Sequence, residues 1–538
     1  MPGTGAPANN SARMHPSTHV DTFTRDNLPP ENEWPDLIFI LPELDYPAKL
    51  NCVGPLLDKH IREGRGDKVA VRSLDEQWTY SEFQSRVNRI ANVLVEEVGI
   101  VPGNRVLLRF PNSPFFAACY LAVLKLGAVA VPTMPMLRAS ELRTVSDKAK
   151  IKFAICDSRL DDELADIVFE RLLMSDELEG LAAAANDRFD AVATASDDVA
   201  LIAFTSGTTG TPKGCMHFHS DVLSMCKTFS EQVLKPRPDD IFIGSPPLAF
   251  TFGLGGLLTF PLYAGASTVL LENPAPPMLA EAVLATGATI CFTAPTAYKI
   301  LLGDDYLNSL SSLRIAVSAG EHLPKPVYLQ WGDRSEATMI DGIGATEIIH
   351  IFLSMTGEGD KPGSTGIPVP GYELRIVDES MKDLPVGEEG LLAVRGPTGC
   401  KYLADPRQLD YVRDGWNLTG DVFRRDEDGH FWYVARGDDM IISAGYNISG
   451  PEVEEALLGH ASVAECAVVA APDEKRGHVP KAFVVLAAGV NSSEQLTKDL
   501  QDFVKQKIAP YKYPRAIEYI DALPKTQTGK IQRFALRE

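Results

Sequence analysis

The 538-residue sequence lacks any uninterrupted apolar run of about 18 residues, the length that a membrane-spanning helix needs. Its amino terminus also lacks a basic segment followed by an apolar stretch, so no secretory signal is expected. Positive charge is scarce, since 51 Lys and Arg stand against 72 Asp and Glu, for a formal net charge of -21. Such an acidic surface repels phosphate backbones and anionic lipids. Nucleic-acid and membrane partners are therefore not expected.

Cysteine is also sparse, and it shows no pairing pattern. None of the eight cysteines lies in a C-x-x-C motif, and most stand among apolar neighbours, as Cys119 and Cys156 do. The ten histidines show no metal-ligand spacing; the pair His217 and His219 fits the entry to a helix better than a metal site. We therefore predict buried, reduced thiols in a cytoplasmic protein rather than disulfides or a zinc site.

The length of the chain predicts at least two domains, because 538 residues exceed what one hydrophobic core holds together. Residues 1–34 are rich in Pro, Asn, Ser and Thr without an apolar period, which predicts a flexible leader. From residue 35 onward, strand-like runs such as 105–110 and 199–205 alternate with helical runs such as 115–126. This alternation predicts an α/β fold with largely parallel sheets in a large N-terminal domain over 35–437.

The pattern changes after about residue 365. Short alternating strands between turns predict a small β-rich subdomain over 366–437. A polar, glycine-containing break follows at 435–439, and 438–538 is long enough for a small, mobile α+β C-terminal lid domain. In the N-terminal part, Ser81 and Gln84 have the spacing of a capping box at the start of a helix.

A dense group of phosphate-binding residue types follows the strand-like run at 201–204. The segment Thr205-Ser-Gly-Thr-Thr-Gly-Thr-Pro-Lys-Gly214 holds three glycines, five hydroxyl side chains and one lysine. Glycines let backbone N–H groups approach a phosphate, hydroxyls donate hydrogen bonds, and Lys213 adds positive charge. The segment therefore predicts a phosphate cradle, although it differs from the G-x-x-x-x-G-K-[ST] motif of P-loop NTPases.

This loop resembles the signature of the acyl-adenylate-forming superfamily, which includes acyl- and aryl-CoA ligases, adenylation domains of peptide synthetases and luciferases. Four further segments resemble motifs of that family in the same order: 341–347, 416–421, 436–439 and 524–531. The resemblance extends from about residue 50 to residue 538. It implies an ATP-dependent acid–thiol ligase, an AMP-forming acyl-CoA synthetase that makes an acyl-adenylate and then the CoA thioester.

The resemblance also implies ligands for particular positions, with ATP, Mg²⁺ and coenzyme A as the expected cofactors. The implied phosphate-binding residues are Thr205, Ser206, Gly207, Thr208, Thr209 and Lys213. The implied residues for the rest of ATP or AMP are Gly320, Glu321, Asp341, Gly342, Ile343, Thr346, Asp421 and Arg436. Lys213, Thr346, Glu347 and Lys530 are the implied catalytic residues, and Glu347 is the implied Mg²⁺ ligand.

The C-terminal domain has two implied tasks. Lys530 would bridge the substrate carboxylate and the α-phosphate, where a cation stabilises two reacting anions most. The domain would then rotate about a hinge at Asp438 and present a CoA-binding face. The residues implied for that face are Ser443, Ala444, Gly445 and Tyr446.

The acid is expected to be a small aromatic carboxylic acid. Ile343 stands where many relatives have tyrosine, and together with His350 this departure resembles benzoate- and 2-aminobenzoate-CoA ligases. By the same resemblance, the substrate slot is formed by Phe250, Phe252, Gly253, Gly344 and His350.

Three alternatives to this function stay open at this point. The enzyme could take a bulky or specialised acid, including one supplied as the acyl-adenylate, or it could load a carrier protein in trans. A nucleotide-binding protein without catalysis is the third, and the charged residues Glu347, Asp421 and Lys530 argue against it, since they have no packing role. A homodimer is left open as the assembly.

Overall fold

The computed structural model describes the chain in eight stretches. They are residues 14–205, 212–357, 359–437, 440–443, 446–473, 477–508, 510–525 and 531–537. Within these stretches the chain forms four β-sheets with helices packed against them. The predicted α/β class is confirmed, with parallel sheets in a large N-terminal domain and a small C-terminal domain. The proposed boundaries at 366 and 438 stay predictions.

The first sheet holds the two strands that flank the phosphate loop. Its order is Arg171–Met174, Phe153–Cys156, Arg105–Arg109, Val129–Thr133, Val199–Thr205 and Lys213–Phe218. All neighbours pair in parallel except the last two strands, which are antiparallel. Thr205 and Lys213 are partners in that antiparallel register. The two ends of the phosphate loop are therefore held side by side.

The second sheet has nine strands and forms the floor of the candidate site. Its order is Ile367–Pro368, Ile351–Ser354, Thr338–Gly344, Ile315–Ser318, Ile290–Thr293, Ile241–Gly244, Ser267–Val269, Val69–Arg72 and Gln77–Thr79. The six central strands pair in parallel, and the outer strands are antiparallel. Its strand residues from 290 to 293 and from 315 to 318 are all buried, as expected for a parallel sheet that is covered on both faces.

Two five-stranded sheets complete the described chain. One is antiparallel and consists of Glu373–Val377, Glu389–Arg395, Trp416–Arg425, Val412–Arg413 and Phe431–Arg436. The other belongs to the C-terminal domain and consists of Tyr446–Ile448, Ile441–Ser443, Gly477–Leu486, Val463–Asp473 and Ala516–Tyr519. The helices Gly450–Leu458 and Glu494–Lys507 pack on this last sheet and give the C-terminal domain a hydrophobic core of its own.

The remaining α-helices cover the two large sheets and connect their strands. They are Phe23–Asp26, Lys59–Arg62, Tyr80–Glu96, Pro114–Lys125, Ala139–Ala149, Ser175–Ala184, His219–Met225, Thr251–Leu254, Phe260–Ala264, Pro276–Thr286, Pro295–Leu301, Asp304–Leu307, Lys325–Arg334 and Gln408–Tyr411. Three π-helical segments occur at Gly54–Asp58, Cys226–Leu234 and Gly255–Thr259. No helix in the described stretches is long and apolar enough to cross a bilayer.

The predicted capping box lies two residues away from the real one. Helix Tyr80–Glu96 begins after Thr79, whose hydroxyl accepts a hydrogen bond from the Glu82 backbone N–H, while the Glu82 carboxylate accepts one from the Thr79 N–H. Ser81 and Gln84 are therefore inside the helix, and that prediction is wrong. Both pairs have similar spacing, and the extended backbone at Thr79 decides between them.

The predicted flexible leader over 1–34 is wrong from residue 14 onward. The Ser17 hydroxyl donates to the Asp198 carboxylate at 2.5 Å, and the Thr18 backbone N–H donates to the same carboxylate at 3.0 Å. Asp198 is fully buried and directly precedes strand Val199–Thr205. These hydrogen bonds fix a segment that has too few apolar residues to be recognised as packed.

All eight cysteines are buried and unpaired, as predicted from their apolar neighbours. They come from both large sheets, from the helices on them and from the C-terminal domain. Cys119 and Cys291, for example, have no exposed surface. The thiols therefore act as small apolar side chains in the core.

Candidate active site

Several of the predicted site residues lie at the carboxyl ends of strands in the nine-stranded sheet. Phe250 and Phe252 follow strand Ile241–Gly244, and Thr346 follows strand Thr338–Gly344. Gly320 comes two residues after strand Ile315–Ser318 and has φ +91°, a conformation that favours glycine. In parallel sheets, ligands bind in the crevice beyond the carboxyl ends of the strands. The sheet thus brings together residues that are about 100 positions apart.

Glu347 and Lys213 lie side by side at this edge. The Lys213 ammonium is 3.5 Å from Oε1 of Glu347, and it also lies over the Tyr402 ring, 4.7 Å from the centroid. The Tyr402 hydroxyl donates to the same Oε1 at 2.5 Å. Within the described part of the chain both contacts of this carboxylate use Oε1, so Oε2 is left for another ligand. Glu347 is buried, with 8% of its surface exposed.

Glu347 fits a Mg²⁺–nucleotide site better than a site made by protein alone. Mg²⁺ in such sites takes one or two carboxylates and completes its shell with phosphate oxygens and water. No group of three or more His, Cys, Asp or Glu side chains in the described stretches could hold a metal ion by itself. A single buried carboxylate beside the lysine of the predicted phosphate loop therefore fits a site in which phosphate oxygens and water supply the other Mg²⁺ ligands.

A buried charge pair supports the turn that carries Thr346 and Glu347. The Lys401 ammonium is 3.1 Å from the Asp221 carboxylate, and neither side chain has more than 2% of its surface exposed. The His217 ring lies between this pair and the turn, since its Nε2–H donates to the Thr346 carbonyl at 2.8 Å. His219 begins helix His219–Met225, in agreement with the predicted helix entry. His217 is thus tied to the candidate site through the backbone rather than through a metal.

The two predicted ribose-binding residues are neighbours in the antiparallel sheet. Asp421 on strand Trp416–Arg425 pairs in register with Arg436 at the end of strand Phe431–Arg436. The guanidinium Nη1 of Arg436 is 3.3 Å from Oδ1 of Asp421. Asp421 is 6% exposed. A buried carboxylate held by an arginine can accept the two vicinal hydroxyls of a ribose.

Two further predicted residues, Phe252 and His350, lie in an aromatic cluster with three rings that the sequence did not predict. The His350 ring lies 4.6 Å from Phe260, 5.5 Å from Phe229 and 5.9 Å from Phe252. Phe252 in turn lies 5.5 Å from Phe292. Phe252 is half-buried, whereas the other four rings are buried. This aromatic cluster is therefore open to a ligand on the side of Phe252.

His350 is held in the aromatic cluster without a strong polar partner. Neither ring nitrogen makes a hydrogen bond of normal geometry within the described stretches. Burial lowers the pKa of His350 to about 3, an effect that the nearby backbone of Phe252 offsets only in part. The imidazole is therefore neutral near pH 7 and has one donor and one acceptor to offer.

Glycines allow the backbone to approach the aromatic cluster closely. A Cβ on Gly255 would lie 2.4 Å from the His350 ring, and one on Gly256 would lie 2.4 Å from the Phe292 ring. The predicted slot residue Gly344 is exposed, and a Cβ there would lie 2.7 Å from the His350 carbonyl. At Gly253 a Cβ would lie 2.0 Å from the Pro247 carbonyl. A side chain larger than that of glycine at any of these four positions would overlap a neighbouring atom unless that atom moved.

Asp341 is a buried acid at the end of the same sheet, beside Ser318. Burial raises the pKa of Asp341 to about 8, and the neighbouring Ser318 hydroxyl offsets this only in part. Near pH 7 the carboxyl is therefore mainly protonated and can both donate and accept a hydrogen bond. Such a group suits the edge of a nucleotide base, in keeping with its predicted place in the ATP site.

We expect Asp341→Asn to stabilise the unliganded protein more strongly as the pH rises. The native carboxyl keeps its proton up to about pH 8, whereas the unfolded one loses it near pH 3.8, so folding takes up a proton in this window. The free energy of unfolding of the wild type therefore decreases as the pH rises from 3.8 to about 8, whereas that of Asp341→Asn does not, because asparagine carries no titratable proton. In thermal melts, the Tm of Asp341→Asn minus the Tm of the wild type should grow by about 5 °C between pH 6 and pH 9.

Asp333→Asn is the control, because Asp333 is exposed on helix Lys325–Arg334. Its Tm difference from the wild type should stay constant over the same pH range. A constant difference for Asp341→Asn as well would show that Asp341 is ionised in the folded protein.

The remaining predicted residues fall into two groups. Ile343 and Glu321 are half-buried at the same sheet edge, Gly342 is buried within strand Thr338–Gly344, and Phe250 is half-buried next to helix Thr251–Leu254. Ser443 is buried in a β-hairpin of the C-terminal domain. Those outside the described residues are Ser206, Gly207, Thr208, Thr209, Asp438, Ala444, Gly445 and Lys530. For Tyr446 only the backbone is described.

Several contributors to this site were not predicted from the sequence, among them Phe229, Phe260 and Phe292 of the aromatic cluster. Tyr402 and Lys401 lie more than 50 residues after Glu347, and Asp221 lies inside a helix. His217 was noticed, but not its bond to Thr346. The sequence offers one signal, a lysine and a tyrosine between the apolar residues Cys400 and Leu403, where charge has to be paired.

Comparison with known proteins gives two family matches. The family described as AMP-binding enzyme matches residues 57–402. The family described as AMP-binding enzyme C-terminal domain matches residues 452–530. The first match covers the two large sheets, and the second covers most of the C-terminal domain.

Individual proteins match over nearly the whole chain. The benzoate–CoA ligase of Thauera aromatica is 35% identical over 512 residues, which cover 92% of this chain and 97% of that protein. The crystal structure of the anthranilate CoA ligase AuaEII in complex with anthranoyl-AMP superposes with a TM-score of 0.88 at 33% identity and covers 92% of this chain and 98% of that one. A benzoate CoA ligase from Burkholderia xenovorans LB400 has a TM-score of 0.84 at 32% identity, with coverage of 91% and 100%.

Proposed function

The chain belongs to the AMP-binding enzyme family and is an AMP-forming acyl-CoA synthetase, and from this premise we propose that the acid it activates is a small aromatic carboxylate. Its substrates are ATP, coenzyme A and a carboxylic acid, which is joined to CoA through an acyl-adenylate. The observation that carries the substrate proposal is the aromatic cluster around the neutral, buried His350. The similarity to proteins named for benzoate and anthranilate supports the same class of acid.

The proposed adenylation site has to bring two anions together, because the carboxylate attacks the α-phosphate of ATP and pyrophosphate leaves. Most of the catalysis must therefore come from positioning and from neutralising charge. We assign Lys213 to the departing phosphates and the Thr346 hydroxyl to the α-phosphate. Asp421, held by Arg436, would bind the ribose hydroxyls. These roles rest on the geometry above and on the motif resemblance together.

Mg²⁺ is the proposed metal, and Glu347 is the proposed protein ligand. When bound, the ion supplies positive charge to the phosphate oxygens. The chain's own contribution is to hold the carboxylate, and the contacts to Tyr402 and Lys213 keep Oε1 engaged. Oε2 would then be available to hold the ion.

The C-terminal domain supplies the proposed switch between the half-reactions. Lys530 is proposed to act in adenylation, and the segment 443–446 in binding CoA. Asp438 is proposed as the hinge residue between the two arrangements. These assignments follow from the order of motifs in the sequence and from the match of residues 452–530 to the C-terminal domain of the family.

The aromatic cluster explains why a small ring should be preferred over a long chain. A flat ring gains area burial and about 0.5–1.5 kcal/mol for each good aromatic contact, and Phe252 offers a partly exposed ring for such a contact. An unpartnered imidazole gains a hydrogen bond when a carboxylate or an ortho substituent reaches it. His350 thus adds a polar interaction to an otherwise apolar site.

We expect benzoate, 2-aminobenzoate and 2-hydroxybenzoate to be used with a kcat/KM at least about tenfold higher than that of octanoate. The test measures release of pyrophosphate and AMP and formation of the CoA thioester for each acid, with cyclohexanecarboxylate as the ring of similar size without aromaticity. A preference for octanoate would refute the aryl proposal while leaving the synthetase activity in place. Turnover of bulky polycyclic acids alone would show that the slot is wider than proposed.

A cytoplasmic location is part of the proposal. Eight reduced thiols persist in a reducing compartment, whereas secreted proteins tend to oxidise theirs in pairs. ATP and CoA are both supplied there.

A further inference from the structure

Tyr402 lies between two groups that the proposed reaction needs, Glu347 and Lys213. Its backbone runs beside strand Lys213–Phe218, because the Leu403 N–H donates to the Gly214 carbonyl at 2.8 Å. The Tyr402 N–H donates to the Gln408 side chain at 2.9 Å. Tyr402 has no exposed surface. Its ring is therefore fixed in place.

The Tyr402 side chain makes a different contact with each of the two charged groups. Its hydroxyl donates to Oε1 of Glu347 at 2.5 Å, and its ring lies under the Lys213 ammonium at 4.7 Å. The ammonium itself is 3.5 Å from the same Oε1, longer than a direct hydrogen bond. The hydroxyl and the ammonium thus compete for the same carboxylate oxygen, and the hydroxyl is the group that forms the short hydrogen bond.

The hydroxyl is the donor in this contact, because the oxygen of an ionised carboxylate can only accept a hydrogen bond. A neutral phenol can donate a short hydrogen bond to a carboxylate without cancelling the negative charge. A lysine that closed onto the carboxylate would cancel that charge.

We infer that Tyr402 is a positioning residue for adenylation. Its hydroxyl keeps Oε1 of Glu347 from closing onto Lys213, so that Oε2 would be available to hold the divalent cation and the ammonium would be available for phosphate. The ring supports the ammonium from below. This inference rests on the proposed role of Glu347 as the metal ligand, and it adds the residue that keeps the two opposite charges apart.

Tyr402→Phe tests the inference because it removes the hydroxyl and keeps the ring. Without the hydroxyl, the lysine and the carboxylate are free to form a direct ion pair. The apparent Kd of Mn²⁺ for the ATP-saturated enzyme, titrated by EPR without acid or CoA, should rise about tenfold to thirtyfold. Acid-dependent pyrophosphate release should fall by a similar factor, while thiolation of supplied benzoyl-adenylate and the Tm should stay close to the wild type.

Tyr411→Phe is the matched control. The Tyr411 ring is half-buried and packs edge-on against Tyr402 at 5.9 Å, and its buried hydroxyl has no hydrogen-bond partner within the described stretches. Loss of that hydroxyl should leave Mn²⁺ binding and pyrophosphate release unchanged. An equal effect of both substitutions would overturn the inference, because it would point to general packing around the two rings.

A double-mutant cycle with Glu347→Gln separates this inference from the proposal beneath it. If Tyr402 acts through Glu347, Tyr402→Phe should change Mn²⁺ binding little in the Glu347→Gln background. Additive effects of the two substitutions would overturn the positioning role alone. Unchanged Mn²⁺ binding in Glu347→Gln itself would overturn the metal site, and the inference with it.

Discussion

Lys530→Ala is expected to lower acid-dependent pyrophosphate release about 100-fold to 1,000-fold, while thiolation of supplied benzoyl-adenylate falls by less than about threefold. The physical reason is that a cation between the attacking carboxylate and the α-phosphate stabilises charge only during adenylation. In thiolation the CoA sulfur attacks the carbonyl carbon of the acyl-adenylate, a C–S bond forms, the bond to the phosphate oxygen breaks and AMP leaves. No carboxylate approaches the α-phosphate in this step, so that cation is not needed. The two half-reactions are measured separately, the first by pyrophosphate and the second by formation of benzoyl-CoA.

Lys525→Ala provides the matched control from the same segment of chain. The Lys525 ammonium forms an ion pair with Glu465 at 2.6 Å, and both side chains are about a third exposed. An exposed ion pair contributes little to folding stability, so the rates of both half-reactions in Lys525→Ala should stay within about twofold of the wild-type rates. Equal loss of both half-reactions in Lys530→Ala would show that this lysine supports folding or domain packing instead.

Gly255→Ala is expected to lower kcat/KM for the preferred aromatic acid about 100-fold without weakening ATP binding. The backbone at Gly255 has φ -62° and accepts an alanine, but the added Cβ would lie 2.4 Å from the His350 ring and 2.9 Å from Phe260. The imidazole must therefore move, and the half-buried Phe252 is the neighbour that can give way. That movement narrows the proposed acid slot. Steady-state kinetics and ATP titrations measure the two effects.

Gly332→Ala separates this steric effect from the general effect of replacing a glycine by alanine in a helix. A Cβ on Gly332, in helix Lys325–Arg334, would meet no atom within 4 Å, so its kinetics should match the wild type. Adding His350→Ala to Gly255→Ala should restore part of the benzoate activity, because it removes the ring that was displaced. Unchanged acid kinetics in Gly255→Ala would mean that His350 does not line the slot.

The parts of the fold that the sequence predicts well are those in which local pattern and global structure agree. The run 199–205 is predicted as a strand and forms Val199–Thr205, because it is largely apolar and is followed by a segment that contains glycine and proline. The helix predicted over 115–126 forms Pro114–Lys125 for the same kind of reason. The motifs also predict that Thr346, Glu347 and Lys213 belong to one site. In the structure the Lys213 ammonium lies 3.5 Å from Oε1 of Glu347, the residue after Thr346.

The contributors that the sequence did not reveal depend on contacts between distant segments. Tyr402 reaches Glu347 only because its segment runs antiparallel to strand Lys213–Phe218, and no local pattern encodes that pairing. The N-terminal segment from residue 14 is held by hydrogen bonds to Asp197 and Asp198, together with a few irregularly spaced apolar residues that pack on the core. Polar anchoring of this kind leaves no apolar period to detect, and composition alone then suggests disorder.

The burial of every cysteine has a practical consequence for measuring the reaction. Burial raises the pKa of each of the eight thiols, so the thiolate that reacts with disulfide reagents is scarce as well as shielded. Free coenzyme A can therefore be titrated with such a reagent in the presence of the native enzyme, and its consumption gives the turnover directly. When the protein is unfolded, eight equivalents of thiol appear, and the same reagent then counts denatured molecules.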